Sequence, residues 1–119
     1  MKRRLLIIDD EEIIRNSLKA YLNSSGYEVA AAADSANAFK LIADFDPEIL
    51  LLDLYFEEGL NGIEMLKIVK SMKPDLKVVM VTGFGEKKEI EEECFRLGAV
   101  RFLYKPLGGI DTKKQLDAV

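Results

Sequence analysis

With 119 residues, 49% of them hydrophobic and 32% charged, the chain is long enough to bury one core, and we expect a single domain over residues 1–119. No segment approaches the roughly 20 apolar residues of a membrane span, and the apolar run after the basic start ends at Asp9-Asp10, so we expect a cytoplasmic location without membrane contact. The net charge of −4 argues against nucleic-acid binding by this domain, and one Cys with no His excludes an internal disulfide, the usual zinc sites and His-dependent triads.

Five apolar stretches predict strands, several of them long enough to be buried on both faces, as in parallel sheets. The predicted strands are Leu5–Ile8, Tyr27–Ala32, Ile49–Asp53, Val78–Val81 and Val100–Tyr104. Ile49–Asp53 is the most telling of them, because four large apolar residues lead directly into one carboxylate. By itself that acid is best explained as a cap for the following turn.

Between the strands, apolar residues recur at helical spacing. The expected inner-face residues are Ile14, Leu18, Tyr21, Leu22, Ala38, Leu41, Ile42, Phe45, Met65, Leu66, Val69, Met72, Ile90, Cys94 and Leu97. Asp34 or Ser35 is expected to cap the second helix, and the last two helices are expected to span Glu86–Leu97 and Asp111–Val119. Because strands and helices alternate, we expect an α/β fold: a flavodoxin-like, doubly wound parallel sheet of strand order 2-1-3-4-5 in a three-layer sandwich.

The first and third strands both end in acid. In this strand order they are neighbours, so Asp9, Asp10 and Asp53 are expected to share one cleft. Two like charges 4 Å apart cost about 4 kcal/mol at an effective dielectric of 20, so the cleft needs a cation. Carboxylate oxygens without His or Cys favour Mg²⁺, with Mn²⁺ or Ca²⁺ as alternatives.

The fourth and fifth strands add groups that suit a phosphoryl oxygen, the Thr82 hydroxyl and the Lys105 ammonium. Asp53 is then the acid best placed as nucleophile or acceptor. Each signal has an ordinary structural explanation, because strand-end Thr and Asp residues often cap helices and Lys-Pro is often a solvated turn. Their joint order along the strands is what favours a metal-assisted phosphate site.

The chain also resembles the receiver domains of bacterial two-component response regulators over nearly its whole length. Leu5–Glu11 is similar to the acidic first turn of that family, Ile49–Leu54 to its phosphoacceptor strand, Val81–Gly83 to its switch hydroxyl, and Gly98–Pro106 to its last strand and lysine turn. Each motif is degenerate, but the four together are specific.

The resemblance implies a phosphorylation-dependent signalling switch and not an enzyme, beyond self-phosphorylation and slow self-dephosphorylation. Asp53 would accept a phosphoryl group from a histidine kinase or phosphotransfer protein. Asp10, Asp53 and the Tyr55 main-chain carbonyl would bind Mg²⁺ with help from Asp9, and Lys105 would contact the phosphoryl oxygens.

The resemblance also implies how the signal would leave the domain. Thr82 would be drawn towards the phosphate and Phe102 would move inward, which changes the face formed by the fourth helix, fifth strand and last helix. A homodimer could form through this face. The Lys105–Pro106 bond is expected to be cis.

The loop after Asp53 departs from the family pattern. Phe56-Glu57 replaces the common Met-Pro pair, and the loop to Asn61-Gly62 is one residue longer. Without the proline its backbone is less restrained. Glu57 and Glu58 add negative charge near the pocket, and we expect both to face water rather than to hinder a phosphodonor.

Two bulky residues, Tyr55 and Phe84, stand two positions after Asp53 and Thr82, where the family flanks the phosphate. They could shield an acyl phosphate and offer no group to orient attacking water, which predicts slow self-dephosphorylation. Phe102 lacks the hydroxyl of the tyrosine often found there, so a switching movement and a plain core role are equally compatible with it.

The acidic fourth helix has two interpretations. It is most simply a solvated face with Lys87–Glu91 and Lys88–Glu92 contacts at helical spacing, and less simply a surface for a partner. The last helix lacks a cap, so we expect that the domain could be the N-terminal part of a longer protein.

Three other functions fit the sequence less well or remain open. A Mg²⁺-dependent phosphatase usually needs a second Asp two residues after its nucleophile, where this chain has Tyr55. A nucleotide-binding domain would have a Gly-rich turn after the first strand. A protein-interaction domain that works without phosphorylation remains the serious alternative.

Overall fold

Strands and helices alternate throughout the part of the chain that this computed structural model describes, residues 2–57, 59–83 and 87–119. The elements are β1 (Arg3–Ile8), α1 (Glu12–Ser24), β2 (Tyr27–Ala32), α2 (Ser35–Phe45), β3 (Ile49–Asp53), α3 (Gly62–Met72), β4 (Lys77–Thr82), α4 (Lys88–Arg96), β5 (Arg101–Tyr104) and α5 (Gly109–Asp117). Within these ranges, no helix has the length and apolar character needed to cross a membrane.

The strands form one parallel sheet in the order β2-β1-β3-β4-β5, which confirms the predicted flavodoxin-like topology. In this register Ile8 lies beside Leu52, and Asp53 lies beside Val81. The carboxyl ends of β1, β3 and β4 therefore meet at one rim, where parallel α/β sheets bind their ligands.

Side chains alternate between the two faces of the sheet and form a core on each. Leu50 and Leu52 of β3 pack in a cluster with residues of α2, α3 and α4, whereas Ile49 and Leu51 pack in a second cluster with residues of α1 and α5. All five residues of β3 are buried. This strand is thus the centre of a three-layer sandwich, and Asp53 has little freedom to move.

Several predicted helix ends are confirmed. The Asp34 carboxylate accepts a hydrogen bond from the Asn37 N–H at 2.9 Å and caps α2. Gly26 and Gly98 have φ values of 104° and 106°, the left-handed geometry that suits a helix stop. The Lys105–Pro106 bond is cis, as the resemblance implies.

Other predicted boundaries and faces were wrong. The last helix spans Gly109–Asp117 and not the predicted Asp111–Val119. Its N-cap residue is Gly108, which has no polar side chain, so no capping signal in the sequence indicated the true start. Helix α4 begins at Lys88, whereas the predicted start, Glu86, lies outside the described residues. Met72 is 51% exposed, because it is the final residue of α3 and lies beyond the buried positions.

Candidate functional site

Three carboxylates converge at the rim formed by β1 and β3. Asp9, Asp10 and Asp53 each offer an oxygen, and these oxygens lie within 4.8 Å of one another. Asp9 and Asp53 are buried and Asp10 is half-buried. The three residues that the sequence predicted to share one cleft therefore do so.

The chemistry of this donor set fits a hard divalent cation. All three residues offer carboxylate oxygens, the ligands that Mg²⁺ and Mn²⁺ prefer, and Asp10 is partly accessible to water. Backbone hydrogen bonds orient two of the carboxylates, since Asp9 Oδ1 accepts from the Glu11 N–H at 2.8 Å and Asp10 Oδ2 from the Glu57 N–H at 3.2 Å. The predicted participation of the Tyr55 carbonyl stays a prediction.

The Lys105 ammonium supplies positive charge to the same cleft. Its Nζ lies 3.0 Å from Asp53 Oδ2 and 3.2 Å from Asp9 Oδ2. The backbone N–H of Lys105 donates a hydrogen bond to the Thr82 carbonyl oxygen at 2.8 Å and so connects the end of β5 to the end of β4. Lys105 therefore lies at the rim where the sequence analysis expected a cation, at distances from the two aspartates that suit ion pairing, and its predicted contact with phosphoryl oxygens stays a prediction.

Glu11 is the member of this site that the sequence analysis missed. Its Oε1 lies 2.6 Å from Lys105 Nζ, closer than either aspartate. The sequence showed Glu11 only as the third acid in a run of four, and an acidic residue at the start of a helix is usually explained by the helix dipole. The turn that points Glu11, and not Glu12, at the lysine is a property of the folded backbone.

Burial raises the pKa of Asp53 to about 6, from an ordinary value of 3.8. Hydrogen bonds from Lys105 and the Tyr55 N–H lower this pKa, whereas the negative charge of Asp9 raises it. For Lys105, burial disfavours the ammonium, but hydrogen bonds to Glu11 and Asp53 outweigh it, and the net result is a raised pKa. The lysine therefore stays protonated at neutral pH.

Thr82 ends β4 on the same rim and is buried. The strand that carries it is fixed beside the acidic cleft, because the Leu54 N–H donates to the Val81 carbonyl oxygen at 2.7 Å, immediately after Asp53. Gly83 follows Thr82, and a Cβ added there would meet no described residue within 4 Å. The predicted role of Thr82 as a phosphate-responsive hydroxyl stays a prediction.

The loop after Asp53 is anchored at its far end. Asn61 and Glu64 form a reciprocal capping box at the start of α3, and the Gly62 N–H donates to the Leu54 carbonyl oxygen at 2.8 Å. The Glu57 side chain is exposed, in agreement with the prediction that it faces water. Glu58, about which the same prediction was made, lies outside the described residues.

The aromatic residues near the site have distinct environments. Tyr55 is 57% exposed, and its predicted shielding of the phosphate stays a prediction. Phe84, its proposed counterpart across the phosphate, lies outside the described residues. Phe102 is buried in the core cluster, with its ring centroid 5.4 Å from that of Tyr104. The ring of Phe102 already lies inward in this structure, and its movement on phosphorylation stays a prediction.

Two glutamates on the acidic face of α4, Glu91 and Glu92, make side-chain contacts. Lys88 and Glu92 form the predicted contact, with 3.8 Å between Nζ and Oε1. Glu91, which we paired with Lys87, accepts a hydrogen bond from the Tyr104 hydroxyl at 2.9 Å. This bond links α4 to β5, two of the elements expected to form the output face.

The chain is similar to a known family of domains, to curated proteins and to solved structures. The family model described as the response regulator receiver domain matches residues 5–117. The chain is 34% identical over 106 residues to sporulation initiation phosphotransferase F of Bacillus subtilis (strain 168). The matched region covers 89% of this chain and 84% of that protein. Other curated relatives are longer, and the chain spans 21% of a putative NtrX-like response regulator of Rickettsia bellii and 33% of a protein-glutamate methylesterase of Caulobacter vibrioides.

Solved structures show the same similarity in three dimensions. The receiver domain of NtrX from Brucella abortus superposes with a TM-score of 0.87 at 31% identity, over 96% of this chain and 95% of that one. A CheY-like response regulator receiver domain protein from Methanospirillum hungatei JF-1 gives a TM-score of 0.91 at 28% identity, over 99% of this chain and 93% of that one.

Proposed function

Because the chain belongs to the response regulator receiver domains, a family of signalling domains and not of catalytic ones, we propose that it is a switch that is set by phosphorylation of Asp53. The phosphoryl group would come from a histidine kinase or a histidine phosphotransfer protein. In the transfer, an Asp53 oxygen attacks phosphorus as the bond from phosphorus to the donor histidine nitrogen breaks, and the histidine ring, protonated on its other nitrogen, takes the bonding electrons and leaves as a neutral imidazole.

The contact between Asp53 and Lys105 is the observation that carries this proposal. Asp53 is buried at the end of the central strand, with a protonated ammonium 3.0 Å from one of its oxygens. A positive group at that distance can stabilise charge on the transferred phosphoryl oxygens. Thr82, at the end of the neighbouring strand, can donate its hydroxyl to the same group.

The acidic cluster supports a requirement for Mg²⁺. Asp10 and Asp53 would hold the ion, with Asp9 and the Tyr55 carbonyl assisting, and Mn²⁺ could replace it. When bound, the cation would offset the repulsion between these carboxylates and an anionic phosphodonor. We further propose that the output face is formed by α4, β5 and α5, that a homodimer can form through it, and that the domain works in the cytoplasm.

Incubation of the domain with acetyl phosphate and Mg²⁺ is expected to add one phosphoryl group, because the donor needs no kinase and Asp53 is the proposed acceptor. Intact-mass spectrometry measures the adduct, which should be lost on acid treatment. Asp53→Ala is the matched control and should show no adduct. No adduct on the wild-type protein would favour a phosphorylation-independent interaction domain, and steady turnover of a generic phosphate ester would favour a phosphatase.

The phosphorylated form is expected to decay over minutes or longer after the donor is removed, because neither Tyr55 nor Phe84 has a group that readily orients water. Decay is followed by intact mass at timed intervals. Tyr55→Asn, which introduces an amide, should shorten the lifetime several-fold, whereas Tyr55→Phe should leave it unchanged. Decay of the wild-type adduct within seconds would contradict the prediction.

A further inference from the structure

Three carboxylates surround the Lys105 ammonium, which donates hydrogen bonds to Glu11 and Asp53 and forms an ion pair with Asp9. Lysine has three N–H donors and no acceptor. Three carboxylate oxygens lie within reach of Nζ, from Glu11 at 2.6 Å, Asp53 at 3.0 Å and Asp9 at 3.2 Å. A phosphoryl oxygen that approaches the lysine must therefore compete with these carboxylates for the ammonium.

Glu11 is the partner that the lysine can give up most easily. Its side chain is 56% exposed, whereas those of Asp9 and Asp53 are 6% and 7% exposed. Asp53 ceases to be a free carboxylate when it is phosphorylated, so Glu11 and Asp9 are the partners that remain in competition with the phosphoryl group. Water can solvate Glu11 once it is released, whereas Asp9 would be left buried without its cation, at a large desolvation cost. The order of exposure thus sets the order of release.

Among the residues that the structure describes, the Glu11 side chain has the contact with Lys105 and no other hydrogen bond or ion pair. Glu11 is the N-cap residue of α1, yet its side chain makes no capping hydrogen bond. Its backbone N–H, and not its carboxylate, contacts Asp9. A substitution that keeps the backbone can therefore change the contact with Lys105 alone.

We propose that Glu11 is a positioning residue that competes with the phosphoryl group for Lys105 and so weakens the phosphorylated state. This inference rests on the proposed phosphorylation of Asp53. In the unphosphorylated domain Glu11 holds the ammonium at the mouth of the cleft. On phosphorylation the Glu11 contact is exchanged for a phosphoryl oxygen, and Glu11 turns to water.

Binding of beryllofluoride, a reversible mimic of the phosphoryl group, measures this competition in the presence of Mg²⁺. Glu11→Gln is expected to tighten binding by about threefold to tenfold, the effect of losing one partly exposed ion pair. Glu11→Asp retains the charge but shortens the reach, and it should also tighten binding. Titrations are followed by amide NMR. Unchanged or weaker binding in Glu11→Gln would overturn the proposal.

Two controls separate competition for the lysine from a general change in charge. Glu12→Gln removes the same charge from the neighbouring exposed residue and should change binding far less. In a Lys105→Met background, Glu11→Gln should have no further effect, and retention of its full effect there would overturn the proposal. If wild-type protein neither binds beryllofluoride nor accepts phosphate, the proposed function fails, whereas wild-type binding that Glu11→Gln leaves unaltered refutes only the role of Glu11.

Discussion

Replacing Lys105 with methionine is expected to destabilise the domain by roughly 3 kcal/mol near neutral pH, the lower end of the range for breaking a buried ion pair. The substitution leaves Asp9 and Asp53 buried without their cation, which lies 3.2 Å and 3.0 Å from them. The cost stays at the lower end because Asp53 can take up a proton.

This loss should depend on pH. The folded-state pKa of Asp53, about 6, is above its ordinary value of 3.8, so between these values the folded state binds more protons and stability rises as pH falls. Removing Lys105 raises the pKa of Asp53 further and extends that window upward. The raised pKa of Lys105 adds a contribution that is constant below its ordinary value of 10.5. Lys105→Met should therefore cost clearly less at about pH 5 than near neutral pH.

Urea unfolding followed by circular dichroism, in the presence of a chelator, measures the effect at both pH values. The double variant Asp53→Asn/Lys105→Met also removes the carboxylate charge of Asp53, which the single variant leaves buried without its cation, and should recover part of the lost stability. An equal loss at both pH values, or no recovery in the double variant, would show that the ion pairs at Lys105 do not determine the stability of this cleft.

Replacing Gly62 with alanine is expected to cost roughly 3 kcal/mol, because the new methyl group has no space. An added Cβ would lie 2.7 Å from Leu54 Cα and closer still to the Asp53 carbonyl oxygen. Both obstacles are backbone atoms of the segment that carries the acceptor, so they can move only by displacing Asp53. We expect phosphorylation by acetyl phosphate to slow as well.

Gly83→Ala is the matched control for this substitution. Among the described residues, an added Cβ at Gly83 meets nothing within 4 Å, so its cost should stay near 0.5 kcal/mol, about that of an ordinary surface change. Thermal and urea unfolding of the two variants compare the costs directly. Equal stability of Gly62→Ala and Gly83→Ala would contradict the close packing of α3 against the end of β3.

The sheet and the acidic cleft could be predicted because each depends on a local pattern. Consecutive apolar residues indicate strands that are buried on both faces, and the strand order brings the acids at the carboxyl ends of β1 and β3 to one rim. Asp53 and Lys105 come from segments far apart in sequence, yet each is fixed at a strand end. Asp53 and Lys105 come together because the parallel strands β3 and β5 end at the same edge of the sheet.

Other features depend on geometry that the sequence does not display. The choice of Glu11 as a lysine partner depends on the turn between β1 and α1, and the start of α5 depends on a glycine cap without a polar side chain. The exposure of Met72 depends on where α3 ends relative to the sheet. In each case the prediction and the structure differ by only one or two residue positions, and at that scale tertiary packing determines where a helix begins or ends and which side chain makes a contact.

Locating the phosphoryl group on Asp53 tests the central claim most directly. After incubation with acetyl phosphate and Mg²⁺, borohydride reduction converts an aspartyl phosphate to homoserine, and trypsin then separates residues 41–67, which contain Asp53, from residues 5–15, which contain Asp9 and Asp10. Fragmentation by mass spectrometry should find homoserine at position 53 alone. Homoserine in the 5–15 peptide, or an unmodified Asp53 in folded protein, would contradict the proposed switch.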